Sequence, residues 1–366
     1  MTVDLGFLKS FDKQVEKMDG ITSISSPPTY WYSSGNYVLN KITSNSFHNC
    51  IPQGRVTGLA GSSGAGKSFV ASNIIRNAQK EGAFNLVIDS ENSLDDEFVS
   101  KIGVDVTKDY KYLSVVTISQ VSKVVSAFIK GYKIQYQDNY KEAPKIHITI
   151  DSLDMLLTET ELEHYEKGDS KGDMGQRSKQ LKAMLRTFVQ DIKNLNISII
   201  VTCQVYANQD LLNGYGKWII TDAVKYSLSQ IILLDKLKLK DDNDKKKITG
   251  IRMKCEGYKT RFTKPFQVVT IEVPYDEGMN PLSGLLETAV TQEIVAQKGA
   301  WYTIVSSNTK FQKKNFMTYY EEVLEQLKQK TDTFFNVKTL GDDEENNEKQ
   351  ESSKNRRDKE YKLKNA

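Results

Sequence analysis

The stretch Gly61-Ser62-Ser63-Gly64-Ala65-Gly66-Lys67-Ser68 fits the pattern G-x-x-x-x-G-K-[ST] with no departures, and its flanks decide what it is. Upstream, residues 56–60 form a short apolar run that reads as a buried strand. Downstream, residues 68–80 read as a helix. Strand, glycine-rich loop and helix in that order make a phosphate-binding loop. The glycines let the backbone bend so that its N–H groups face a polyphosphate, and the helix N-terminus adds a favourable field. Lys67 then brings a cation to the β- and γ-phosphates, and the Ser68 hydroxyl suits a Mg²⁺ ligand. Phe69, next along the helix, is grouped with the nucleotide-binding residues. A solvated Gly/Ser loop with a chance lysine would share the composition but not the flanks.

Outward from this loop, apolar runs at 84–88, 146–150, 197–202 and 231–234 alternate with polar, helix-like spacers such as 68–80 and 176–195. That rhythm predicts an α/β fold: a mostly parallel, twisted sheet with helices on both faces and small N- and C-terminal extensions. Two more strand-like runs, 248–253 and 266–273, flank residues 255–264, and the charged segment 241–247 predicts an exposed hairpin tip. Before the core, Leu5, Leu8, Phe11, Val15 and Met18 fall at helical spacing, and a turn region around Pro27-Pro28 follows. After it, a compact region over 280–338 holds a helix at 316–327. Residues 342–351 are acidic and 354–364 basic, which predicts disorder. No internal repeat is visible.

The 366 residues are 39% hydrophobic and 27% charged, enough to bury a real core, and the net charge of +3 leaves any nucleic-acid binding to local features. Cys50, Cys203 and Cys255 are too widely spaced for a disulfide framework or a zinc site. No apolar run approaches the ~20 residues of a membrane span, and the first residues lack a signal-peptide core. A cytoplasmic protein without a membrane partner is expected. A phosphate loop also needs an acid near its metal. Asp151 closes the run 146–150 and is the candidate, although an aspartate there could merely cap a helix. Glu91, just past the run 84–88, is the candidate for aligning water; taken alone it could be a solvated surface group.

These residues resemble the RecA recombinase family, in order from about 52 to 302, and most closely its phage branch. The stretch Ile88-Asp89-Ser90-Glu91-Asn92-Ser93-Leu94-Asp95 is similar to the family segment carrying the catalytic glutamate. The resemblance implies that role for Glu91, and adenine contacts for Asp95 and Phe98. Gln204 lies where the family keeps a polar γ-phosphate sensor, a glutamine in RecA and a histidine in some phage relatives. Lys259 and Arg261 stand at the spacing of two family lysines that reach the neighbouring subunit's ATP; the Lys/Arg pair is the phage-like version, and Arg spreads charge well onto phosphate oxygens. Tyr275-Asp276-Glu277-Gly278-Met279-Asn280 and Gly299-Ala300-Trp301-Tyr302 resemble the family's closing signature.

The resemblance further implies a RecA-type ATPase core at 51–275 between an N-terminal oligomerisation region, 1–50, and a small C-terminal region, 276–338, with a charged tail, 339–366. It implies two DNA-binding loops. The first, about 159–176, is polar with Gly172, Met174, Gly175 and Arg177 at its useful end, since the glutamates of its first half repel phosphate. The second, about 206–225, interleaves Gly214, Gly216, Lys217 and Trp218, with Lys225 at its close, which suits phosphate contact and base stacking. The implied protein is a DNA-dependent ATPase that uses ATP and Mg²⁺ and forms helical homo-oligomers on single-stranded DNA, pairing it with double-stranded DNA. A mediator and a single-strand-binding protein are possible partners, and the host cytoplasm the site if a phage encodes it. A ring helicase or branch-migration ATPase normally adds a primase-binding or zinc domain. A non-exchanging mediator often loses the glutamate or one loop, and a small-molecule kinase gives no reason for the closing signature.

Overall fold

Strands form where the chain offers unbroken apolar runs. In the computed structural model, which describes residues 8–15, 27–136, 139–140, 142–169, 175–207, 218–241, 244 and 246–330, these runs join one eight-stranded sheet. Its strands are β1 (Val56–Gly61), β2 (Phe84–Asp89), β3 (Tyr110–Ser114), β4 (Ile146–Asp151), β5 (Ile197–Cys203), β6 (Gln230–Lys240), β7 (Ile248–Lys259) and β8 (Val268–Pro274). Their spatial order is β8-β7-β6-β1-β5-β4-β2-β3. From β6 to β3 every pairing is parallel, while β7 and β8 are added antiparallel.

Side chains alternate across the sheet with the strand period of two. In β1, Val56 and Ala60 enter one apolar layer and Leu59 the other; in β5, Ile197, Ile199 and Val201 oppose Ile200. Helix α1 (Lys67–Lys80) packs Val70, Ala71 and Ile74 on one face. Two further helices, Ile118–Tyr136 and Gln176–Asp191, cover the other through Val121, Val125, Leu181, Leu185 and Phe188. The expected helix–sheet–helix layering is present, and the phosphate loop opens at the carboxyl edge of the sheet, where such folds bind ligands.

Several boundaries differ from expectation for physical reasons. β3 has no apolar run to mark it, being a half-buried edge strand of sequence Tyr-Lys-Tyr-Leu-Ser. β6 runs on to Lys240 and β7 to Lys259, since the two pair along their whole length as an antiparallel hairpin, closed by the Asp241 N–H on the Lys247 carbonyl. The first half of the expected loop at 159–176 is a helix, Glu159–Glu166. Thr158 caps it with a capping box to Glu161, and Glu159 and Glu161 sit favourably at its positive end. The helix expected from 316 begins at Tyr320, after a 3₁₀ turn at Lys313–Thr318.

Residues before the core divide in two. Trp31–Tyr32 pairs with Ile51–Pro52, and helix Tyr37–Ser44 buries Val38, Leu39 and Ile42 in the same layer as Ile271 and Leu285. By contrast helix Leu8–Val15 leaves Leu8 and Phe11 exposed; Leu5 and Met18 lie outside the described residues. A three-stranded sheet, Val295–Lys298, Trp301–Ile304 and Thr309–Gln312, follows the core, and Gly299-Ala300 is the turn of its first hairpin. No helix among the described residues is long and apolar enough to cross a membrane. The charged tail lies outside the described residues.

Candidate nucleotide site

The loop between β1 and α1 is held from within. Lys67 is only 8% exposed, and its Nζ donates to the carbonyls of Gly61 and Ser62, each at 3.1 Å. Gly66 has φ of 93°, a left-handed conformation, and a Cβ there would fall 2.5 Å from Met253 Cε on β7. A residue with a side chain would be strained at that φ and would have to displace the Met253 methyl group.

Asp151 ends β4 and is 1% exposed. Its Oδ1 accepts the hydroxyl of Thr202, near the end of β5, and its Oδ2 accepts Ser93 Oγ at 3.0 Å. Ser93 Oγ in turn lies 3.5 Å from Ser68 Oγ. A row of hard oxygen atoms thus runs from the phosphate loop to the end of β4. Mg²⁺ prefers such a set, with few carboxylates and the rest hydroxyls, waters and phosphates. Ser68 and Asp151 therefore fit the expected ion, and Ser93 and Thr202 are the residues that orient the carboxylate. Sequence reasoning missed both, although Ser93 lies within the segment that identified Glu91.

Glu91 stands on a built turn. Asp89, the fully buried last residue of β2, accepts the N–H of Glu91 and of Leu94, each at 2.8 Å. Glu91 Oε1 accepts the Ser152 hydroxyl at 2.5 Å. Ser90 Oγ donates to the Ser152 carbonyl at 2.7 Å, and Ser152 N–H donates to Ser90 Oγ at 3.0 Å. The peptide between Asp151 and Ser152 is cis. The exposed Glu91 carboxylate is therefore tied to the same corner as Asp151. Asp95 caps helix Asp96–Ile102 by accepting the Phe98 N–H at 2.8 Å. Phe98 itself rests half-buried on the cluster of Ile75, Leu94 and Val99. Phe69 is half-buried beneath Gly278 of the closing signature.

Gln204 follows β5, with its backbone N–H on Asp154 Oδ2 at 2.5 Å. Immediately after it, Val205–Ala207 pairs with Trp218–Ile220 as an antiparallel ribbon. Gly214, Gly216 and Lys217 lie outside the described residues, between those two strands. Gly172 and Met174 also lie outside them. Gly175 caps helix Gln176–Asp191. Arg177 donates to the carbonyls of Leu156 at 2.9 Å, Leu153 at 3.1 Å and Asp154, so it braces the segment after β4. Both expected loops leave the same edge of the sheet as the phosphate loop.

A model of the RecA N-terminal domain matches residues 13–280. The chain belongs to the RecA family. Protein RecA of Acinetobacter baumannii is 27% identical over 274 residues, covering 74% of this chain and 73% of the relative. RecA of Aquifex pyrophilus is 26% identical over 292 residues, covering 76% and 77%. RecA of Clostridioides difficile is 26% identical over 292 residues, covering 78% and 79%.

In this RecA-family chain Lys259 and Arg261 lie far from the chain's own phosphate loop. Lys259 is level with Ile231, and Ile231 with Gly58, near the amino end of β1. Lys259 Nζ donates to the Lys225 carbonyl at 2.7 Å; partial burial, then the charge of Arg261, lower its pKa. Arg261 is exposed, and among the described residues it has no ion pair or hydrogen bond. Lys225 turns its own ammonium over the Tyr226 ring at 5.7 Å. The three cysteines are free and buried; burial pushes the Cys50 thiol up to about 12 and raises those of Cys203 and Cys255, so none is poised for chemistry.

Proposed function

We propose that this protein is a DNA-dependent ATPase and recombinase that assembles into helical filaments on single-stranded DNA and exchanges strands with a duplex. Membership of the RecA family supports a role in recombination and repair. The observation that carries the finer reading is the split of the nucleotide machinery across the sheet. Lys67, Ser68, Glu91, Asp151 and Gln204 gather at one edge, while the unpaired Arg261 and its neighbour Lys259 stand towards the other. A subunit so built completes its neighbour's site rather than its own, and a head-to-tail contact that does not close gives a helical filament. The finer kinship, beside the phage recombinase UvsX, rests on the Lys259/Arg261 pair.

Each residue then has a task. Lys67 and the loop N–H groups bind and orient the polyphosphate. Ser68 and the Thr202-oriented Asp151 would hold Mg²⁺, which would supply charge neutralisation to the polyphosphate. Glu91, fixed by Asp89 and Ser152, aligns the attacking water and takes its proton. Lys259 and Arg261 of the adjacent subunit stabilise the charge that develops on transfer. Gln204 sits between Asp154 and the ribbon of loop two, so the state of the γ-phosphate biases the grip on DNA. Asp95 and Phe98 face the base. Gly172, Met174, Gly175, Arg177, Gly214, Gly216, Lys217, Trp218 and Lys225 make or support the DNA contacts, Arg177 through the segment it braces.

The test is ATP turnover with and without single-stranded DNA, in the full chain and in Lys67→Ala. Strong stimulation by DNA that vanishes in Lys67→Ala is expected. Turnover indifferent to DNA, or unaffected by Lys67→Ala, overturns the reading.

A further inference from the structure

One cation at the phosphate loop belongs to none of the roles above. Lys236 lies on β6, two residues beyond Leu234, which is level with Gly61. Its Nζ donates to the Ser63 carbonyl at 2.9 Å. Gly64 permits this approach: its φ is 67°, and a Cβ there would fall 2.5 Å from Lys236 Nζ. Lys236 is exposed and has no ion pair among the described residues, so its charge is directed at the loop.

Three successive carbonyls are thus held by two ammonium groups, Gly61 and Ser62 by Lys67 and Ser63 by Lys236. The two lysines differ in what they leave free. Lys67 is buried within the cradle and is the group that phosphate recruits. Lys236 reaches the loop from the neighbouring strand and stays outside. In a planar trans peptide the C=O and the next N–H point in opposite directions. A cation that draws the Ser63 carbonyl outward therefore turns the Gly64 N–H inward, where an anion sits.

We propose that Lys236 is a positioning residue of the phosphate cradle, acting on nucleotide through the Ser63–Gly64 peptide and not by touching phosphate. The inference rests on the nucleotide-site reading above. It predicts a loss of affinity shared by di- and triphosphates, because the aimed N–H is part of the loop itself and not a γ-phosphate contact. One charge-assisted hydrogen bond made less well costs about ten-fold in binding.

The experiment measures, by calorimetry on the DNA-free full chain with Mg²⁺, the binding of ADP and of a non-hydrolysable ATP analogue. Lys236→Met should weaken both about ten-fold and equally, with the unfolding midpoint of the nucleotide-free protein unchanged. Lys236→Arg, which keeps a donor near Ser63, should retain affinity. Lys238→Met removes the same charge two residues along the strand and should change nothing. The proposal is overturned by unaltered affinity in Lys236→Met, by a loss confined to the ATP analogue, by the same loss in Lys238→Met, or by failure of Lys236→Arg to retain binding. Absence of nucleotide binding in the unmodified chain is a different result: it removes the nucleotide site itself.

Discussion

Arg261→Ala and Lys67→Ala should be nearly inactive alone and active when mixed. Lys259 is level with Gly58, and Gly61 lies three residues further along β1, about 10 Å at the strand rise of ~3.3 Å per residue, before the loop even begins. The chain after Lys259 leads away from that loop, which is why Arg261 is expected to serve a neighbour's ATP. Loss of a trans arginine lowers turnover by roughly 10³–10⁵-fold, so each pure variant gives a negligible background. In a random equimolar filament, an interface works when an Arg261→Ala subunit presents its intact loop to the intact pair of a Lys67→Ala subunit. That happens at about one interface in four. DNA-stimulated phosphate release, measured across the mixing ratio at fixed total protein, should rise from near zero to about a quarter of the unmodified rate and fall again symmetrically. A flat curve, with co-assembly verified by pull-down of one tagged variant, refutes the trans assignment.

Four further outcomes are expected. Glu91→Gln keeps the side-chain shape but removes the base, so ATP should still bind and support DNA binding while turnover falls by ~10²-fold or more; a parallel loss of binding makes Glu91 structural. Asp89→Asn sets an amide NH₂ against an N–H that the carboxylate now accepts, from Glu91 or Leu94. It should destabilise the fold by about 1–3 kcal/mol in urea unfolding and slow hydrolysis with it, and an unshifted midpoint contradicts the account of the turn. Trp218→Ala should cost ~1–3 kcal/mol of single-stranded DNA affinity with little base preference. Lys217→Ala should reduce the salt slope by about one contact, and no change in either variant moves the DNA site elsewhere.

The parts of this protein that follow from local chemistry were legible in its sequence. The phosphate loop was, because glycine, lysine and serine are dictated by what a polyphosphate demands of a backbone. So were the buried strands of the sheet, whose apolar runs need no partner to be recognised. Asp151 and Glu91 were legible as candidates because Asp151 ends a buried run and Glu91 lies just past one. What supports them was not. Thr202 is one of two hydroxyl residues in an otherwise apolar strand, and only the parallel register of β5 beside β4 reveals that it faces Asp151. Asp89 looked like an ordinary strand end, yet it carries the turn on which Glu91 stands. Lys236 lay in a stretch of alternating lysine and leucine that gives no hint of the loop it touches 173 positions away. The resemblance implied one loop over 159–176, whereas four glutamates behind a threonine cap make its first half a helix. Arg177 is expected at DNA from its place at the end of the first loop, and in the fold it also donates to the carbonyls of Leu153, Asp154 and Leu156, contacts that no sequence pattern shows.

The central claim is a filament, and electron microscopy tests it most directly. With single-stranded DNA and a non-hydrolysable ATP analogue, the protein should form continuous helical filaments along the DNA. Closed rings, or isolated subunits on bare DNA, would contradict the account.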